Sequence, residues 1–439
     1  MLITQSKWLL ILLWASVSSV TMAQNQSEAE GFIEDSHVGL FMRNFYFNRD
    51  FRSDYGPGKV AQEWAQGLTL SFRSGYTQGL FGFGVDTFAN IGLKLDGGAG
   101  RPPLLLLARD SNGNPENEYS EVGAALKMRL SDTELKAGDL APYNPVMAIA
   151  TSRLFPASAQ GLQVVSSDIP GLRLDAGHFT SGNDVNSTNR DGPLKAFYAQ
   201  RDASSIDYVG GWYKVNSQLT LGAFAANYAD IWNQYYLSAA LNLPINDLQA
   251  IGLQLTAYHT DDSGKSIAGN INNTTWSAEL AYSVGIQKFT LARQQVHGDE
   301  PFDYLGFASM PGDAIGFLAN KAQNLDFNLP NERSWQLRYN LDLVSFGAPG
   351  LTFMARYITS EGIDGSHYGG GAYSRYQTVT DGSRWERDLE VAYVVQSGPA
   401  KDLVIRVGKS AHRADASVQR VDLPSLDETR VMIEYPLSF

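Results

Sequence analysis

Seven cationic residues sit inside segments that alternate in the manner of β-strands: Arg43, Lys127, Arg129, Arg338, Arg356, Arg406 and Arg430. All but Arg43 and Arg430 have an apolar neighbour on both sides. A period of two sends neighbouring side chains to opposite faces. Such segments therefore carry cations on one face and grease on the other. In a membrane wall, a Lys or Arg facing lipid at mid-depth costs roughly 2–4 kcal/mol, so these groups are expected to point into a wet lumen. Guanidinium binds carboxylate through two parallel hydrogen bonds. A series of them along a bore would hand a carboxylate from one fork to the next, each contact weak enough to release. The alternative is a solvated strand face, or internal pairing with Glu279, Asp388, Glu390 and Glu434.

Two connecting segments stand out beside this series. From Asp139 to Gln160 the chain holds Pro142, Tyr143, Pro145, Val146, Met147, Ile149, Leu154, Phe155 and Pro156, and after Asp139 its only charge is Arg153. A loop this apolar is expected to be buried. Folded into a lumen it narrows the bore and sets Arg153 at the constriction; the alternative is a cap over the outer mouth. Residues 294–333 form the longest connection and contain Asp299, Asp303, Asp313 and Asp326 with Tyr304 and Lys321. Acids opposite a basic series would separate charge across the narrow region; the alternative is an ordinary solvated loop. Catalytic patterns are weak. None of the six His lies in an H-x-x-x-H pair, and no G-x-S-x-G occurs.

The elements that must position these groups are β-strands. The last eleven residues place Thr429, Val431, Ile433, Tyr435, Leu437 and Phe439 on one face, and Arg430, Met432, Glu434, Pro436 and Ser438 on the other. A chain ending on such a strand points to a sheet closed by its last strand. Eight short turns, near residues 74–79, 131–133, 166–171, 215–217, 244–247, 284–285, 347–350 and 397–399, carry Gly, Pro, Asn, Asp or Ser. Nine longer connections fall near 47–65, 95–121, 139–160, 179–203, 227–234, 258–274, 294–333, 359–385 and 411–427. Together they join about 18 strands, predicting an all-β transmembrane antiparallel barrel with short periplasmic turns and long extracellular loops.

The rest of the composition agrees with an exported protein. Lys7, the apolar run Trp8 to Val20 and Thr21-Met22-Ala23 read as a signal peptide over residues 1–23, leaving residues 24–439 as the barrel. No later run is long and apolar enough for a membrane helix. Cysteine is absent, so no thiolate metal site exists, and no cofactor is expected. A net charge of −12 makes nucleic acid an unsuited partner.

More specific blocks recur along the chain. Phe32-Ile33-Glu34-Asp35-Ser36 is followed by Arg43-Asn44-Phe45-Tyr46-Phe47-Asn48-Arg49-Asp50. Further on come Gly82-Phe83-Gly84-Val85-Asp86, Ser152-Arg153-Leu154-Phe155-Pro156, Asn331-Glu332-Arg333-Ser334-Trp335 and Tyr435-Pro436-Leu437-Ser438-Phe439. In these the chain resembles OprD-family porins, the substrate-specific carboxylate channels of the pseudomonad outer membrane. The resemblance implies an 18-stranded barrel with one pore per chain, an inward third loop, and a basic ladder past a narrow eyelet. Arg43, Lys127, Arg129, Arg153, Arg356 and Arg406 match the ladder pattern, and Asp313 and Asp326 the acidic side. Three departures stand out: Gly408 replaces a basic position with Lys409 on the opposite face, Asp313 is followed by Ala314, and Leu318-Ala319-Asn320 by Lys321. A Lys at 321 neutralises an acidic pocket and favours a plain carboxylate over a cationic amino acid.

Passive uptake of small monocarboxylates, aromatic acids among them, is thus the first expectation. The same channel tuned to basic amino acids and peptides is the second, and an outer-membrane barrel hydrolase the third. Expected partners are the carboxylate, outer-membrane lipid and lipopolysaccharide, and the barrel assembly machinery acting on the last strand, with the chain a monomer or weak trimer.

Overall fold

The computed structural model describes residues 25–98 and 100–439; the signal segment expected at 1–23 lies outside them. Eighteen strands form one sheet. In chain order they are His37–Phe51 (β1), Val60–Arg73 (β2), Gly82–Asp96 (β3), Glu118–Leu130 (β4), Thr133–Leu140 (β5) and Ser158–Ser166 (β6). Leu172–Asn183 (β7), Ile206–Lys214 (β8), Leu219–Tyr228 (β9), Trp232–Asn246 (β10), Gln249–Asp262 (β11) and Asn272–Val284 (β12) follow. Gln287–His297 (β13), Arg333–Asp342 (β14), Leu351–Ile363 (β15), Gly382–Val394 (β16), Val404–Ala414 (β17) and Leu426–Ser438 (β18) complete the set. Each pairs antiparallel with its sequence neighbours, and β1 pairs with β18 from Gly39↔Ser438 to Phe51↔Leu426, so the sheet is a closed ring without edges.

Alternation decides the two faces of the wall. Along β4, Tyr119, Ala125, Lys127 and Arg129 are buried, whereas Val122 and Leu126 are exposed. Along β14, Ser334 and Gln336 are buried while Trp335 and Leu337 face outward. The exposed apolar set is the surface that meets acyl chains, and the polar set lines the bore.

The turns fall where Gly, Pro, Asn, Asp and Ser placed them. Between β12 and β13 only residues 285–286 reverse the chain, and Gly285 adopts φ +54°, a backbone region that favours glycine. Strands β1 and β2 run further toward the loops than expected, leaving 52–59 between them. The expected long connection near 227–234 is only the three residues 229–231, because β9 and β10 stay paired to Tyr228↔Trp232. Loops 184–205 and 298–332 also build a small sheet of Leu194–Ala196, Arg201–Ala203 and Leu305–Gly306, which alternation alone did not signal.

The chain end closes the ring. The Phe439 N–H donates to the Val38 carbonyl at 2.9 Å, and its own carbonyl accepts from Val38 N–H at 3.4 Å. Its ring lies exposed outside the wall. Deleting Phe439 is therefore expected to lower the amount of folded barrel while leaving unit conductance unaltered in the molecules that do fold. Heat-modifiable migration on gels measures the first and planar-bilayer recording the second; a normal folded yield contradicts the prediction.

Candidate functional site

Loop 141–157 leaves the wall and crosses the bore. Pro142 to Met147 form a tight reversal in which the Asn144 side chain accepts from the amides of Val146 at 3.1 Å and Met147 at 2.8 Å. The Tyr228 hydroxyl on β9 donates to the Val146 carbonyl at 2.8 Å, and Tyr258 on β11 to that of Pro145 at 3.0 Å. The returning limb packs Leu154 and Phe155 among Phe45, Phe47, Ala65 and Tyr119. Gly67 on β2 permits this approach, since a Cβ there would lie 2.9 Å from Leu154. In an 18-strand ring β2 and β11 are nine strands apart, hence on opposite walls, so the loop spans the lumen.

The seven strand cations all occupy the lumen face, on β1, β4, β14, β15, β17 and β18. Six are matched to carboxylates. Arg43 pairs with Glu434 at 2.7 Å, Lys127 with Asp86 at 2.7 Å, Arg356 with Asp388 at 2.6 Å and Arg430 with Glu428 at 2.5 Å. Arg338 and Arg406 are held more loosely, 3.6 Å from Glu279 and 3.8 Å from Glu390, and the Nε of each is buried with no hydrogen bond. Arg129 has no carboxylate within ion-pair distance among the described residues. Its guanidinium lies over the Tyr76 ring at 4.0 Å, and its Nε donates to Gln26 at 3.0 Å. Internal pairing, the alternative to a free series, thus holds for six of the seven.

Arg153 lies on the crossing loop, with Nε donating to the Leu104 carbonyl at 2.7 Å and its own carbonyl accepting from Arg43. Three guanidinium groups surround one ring there: Arg430, Arg153 and Arg49 lie 4.8, 5.1 and 5.1 Å from the centroid of Phe47. Glu428 is the carboxylate between them, accepting from Arg49 Nε at 2.7 Å and Arg430 Nε at 2.5 Å. Burial, then the like charges of Arg430 and Arg49, pull the Arg153 pKa down to about 9. An arriving anion would relieve that repulsion. Arg49 was not among the expected residues. It sits on the same face as Arg43, Phe45 and Phe47, but the strand had been expected to end near residue 47.

Loop 298–332 descends against the basic wall. The Lys321 and Gln323 carbonyls accept from Arg356 at 2.6 Å and Arg430 at 3.1 Å. The Glu386 carboxylate receives the amides of Asn324 at 2.8 Å and Leu325 at 2.9 Å. Of the three expected acids, Asp303 is spent on architecture. It accepts from the amides of Tyr198, Ala199 and Tyr304, each at 2.8 Å, and from the Tyr373 hydroxyl at 3.0 Å. Burial pushes its pKa up to about 6 against the pull of those amides. Asp313 links the two inward loops, accepting the Thr151 amide at 3.0 Å and Lys321 Nζ at 2.9 Å. Asp326 accepts from the Tyr198 hydroxyl at 3.2 Å and from Tyr304. Burial opposes the Lys321 charge, but Asp313 and then Asp326 outweigh it and hold its pKa above the ordinary value.

A closed ring with a greasy exterior, a charged bore and a loop laid across it is a diffusion channel of the bacterial outer membrane. Residues 30–439 match the family model described as outer membrane porin, OprD family, and the chain belongs to that family. Porin D of Pseudomonas aeruginosa is 45% identical over 449 residues, covering 98% of this chain and 99% of that relative. The crystal structure of Pseudomonas aeruginosa OprD matches with a TM-score of 0.83 at 43% identity, over 95% of this chain and 99% of the other. That of Pseudomonas aeruginosa OpdK with vanillate matches with a TM-score of 0.83 at 33% identity, over 93% and 100%. The family is one of porins, so the barrel-hydrolase reading falls away.

Proposed function

We propose that this porin takes up small monocarboxylates, aromatic acids among them, by passive diffusion along its lumen-facing cations. The observation that carries this reading is the meeting of Arg49, Arg153 and Arg430 around Phe47 with Glu428 as the carboxylate between them. An incoming carboxylate gains charge-assisted hydrogen bonds there. The solved OpdK relative was captured with vanillate, itself an aromatic carboxylate. Below the constriction, the loosely held Arg338 and Arg406, then Lys127 and Arg129, continue the path toward the short-turn end. Arg356 stands directly opposite Arg338 and lines the same level, and Arg43 joins the path from β1. Liposome swelling with benzoate against arginine tests the reading, and faster entry of arginine would overturn it. Arg129→Ala is expected to lower benzoate flux about threefold, a loss of under ~1 kcal/mol as for a single water-screened charge interaction in the bore, with the barrel still folded. Unchanged swelling would remove Arg129 from the path.

Transport of basic amino acids is the second reading, and Asp313 with Asp326 on the loop favours it. Lys321 argues against it by occupying Asp313. Lys321→Ser is expected to shift the reversal potential toward cation selectivity and to tighten arginine binding severalfold. If single-channel recordings show no change in either, the acidic pair does not reach the path.

A further inference from the structure

We propose that the outer wall between β12 and β17 seats one lipopolysaccharide molecule of the outer leaflet, Arg387 and Lys409 holding a lipid A phosphate and the apolar groove beside them an acyl chain. Both residues are exposed on the lipid side of their strands, while their neighbours Glu386, Asp388, Gly408 and Ser410 face the lumen. Neither has a hydrogen-bond or ion-pair partner among the described residues. Other outward cations on this wall are matched. Arg333 lies 3.7 Å from Glu361, Arg413 lies 2.8 Å from Asp427, and Arg293 lies 4.8 Å from the Trp335 ring. Two unmatched cations on a surface built for acyl chains need an anion from outside the chain.

Their placement suits one phosphate. Leu389 stands opposite Lys409 and Arg387 opposite Ala411, so Arg387 and Lys409 are diagonal neighbours across β16 and β17. Such positions stand roughly 7–8 Å apart, within reach of a shared ligand for side chains this long. A shallow groove leads away from Arg387, lined by Leu389, Tyr357, Leu337, Leu291 and Phe289. Its far end, at Phe289, is two residues from the short turn 285–286, whereas Arg387 lies five residues from the long loop 364–381. Short turns are periplasmic in these barrels. A lipid in the groove would thus point its tails toward the periplasm and its anionic head outward. That is the orientation of an outer-leaflet lipid, and an inner-leaflet phospholipid would lie the other way up.

Native mass spectrometry of the folded barrel in detergent, with Kdo2-lipid A or phosphatidylglycerol added, tests this. The unaltered protein is expected to retain lipid A in preference to phosphatidylglycerol. The double variant Arg387→Leu with Lys409→Leu, apolar on a lipid-facing surface and so compatible with folding, is expected to lose lipid A occupancy at least tenfold with unit conductance unchanged. Arg387→Lys is expected to keep most of it. Equal retention of both lipids by the unaltered protein, or undiminished lipid A on the double variant, overturns the proposal. So does a variant that loses self-association instead of lipid, since the face would then belong to a second copy of the chain.

Discussion

Replacing Arg384 with alanine is expected to destabilise the folded barrel by about 3–5 kcal/mol, the usual consequence of stripping one partner from a buried ion pair. The Arg384 side chain is 1% exposed and grips Glu332 through Nε at 2.7 Å and Nη2 at 2.6 Å. Its Nη1 reaches Asp422 at 2.5 Å. Glu332 closes loop 298–332, Asp422 belongs to loop 415–425, and Arg384 stands on β16, so one guanidinium ties two loops to the wall. Without it Glu332 remains fully buried, with the Leu329 amide at 2.8 Å and the Ser360 hydroxyl at 2.6 Å left among the described residues to offset its charge. Urea titration in detergent, followed by tryptophan fluorescence, measures the loss. Adding Glu332→Gln to the variant is expected to recover part of the stability, because it removes the stranded charge. A change below about 1 kcal/mol would mean that water reaches Glu332 and screens it. Loosening loop 298–332 is also expected to raise permeability to neutral sugars in liposome swelling, which joins the stability of the mouth to the selectivity of the bore.

Much of this architecture could be read from residue order because a barrel wall has one simple rule. Lipid outside and water inside impose a period of two on every strand, and Trp335, Leu337 and Tyr339 against Gln336 and Arg338 display it directly. The turns were legible because reversal demands particular residues, as at Gly285. Legibility ended where strands rise beyond the bilayer. There both faces meet water or loops, the alternation loses its cause, and β1 was expected to stop short of Arg49. The loops were harder still. Arg384 pairs with Glu332 across 52 positions and Asp303 meets Tyr198 across 105, and no local pattern announces such a partnership. Composition marked loop 139–160 as one to be buried, and burial across the lumen is what the Tyr258 and Gly67 contacts describe. For Asp303, charge alone suggested a role at the eyelet, whereas its oxygens are consumed by three amides and a hydroxyl.

Carboxylate flux should respond most to Arg153. Around Phe47 stand three guanidinium groups, of which Arg49 and Arg430 pair with Glu428, and removing Arg153 reduces that excess of charge by one unit. At about 5 Å, with an effective dielectric between that of a protein surface and that of water, one such charge attracts a carboxylate by roughly 1–3 kcal/mol. Arg153→Ala is therefore expected to reduce benzoate flux at low concentration about tenfold, and the deficit should shrink as added salt screens the site. The side chain also braces the loop through Leu104, so truncation alone would widen the bore and let every solute through faster. The two effects oppose each other for benzoate, whereas a neutral sugar feels only the widening, so its entry is expected to stay level or rise. Arg153→Lys keeps the charge but loses the fork, and is expected to fall between the two proteins, since an ammonium cannot present two parallel donors to one carboxylate. Equal loss for benzoate and sugar would assign Arg153 to loop packing, and unchanged benzoate entry would place the anion path elsewhere in the bore.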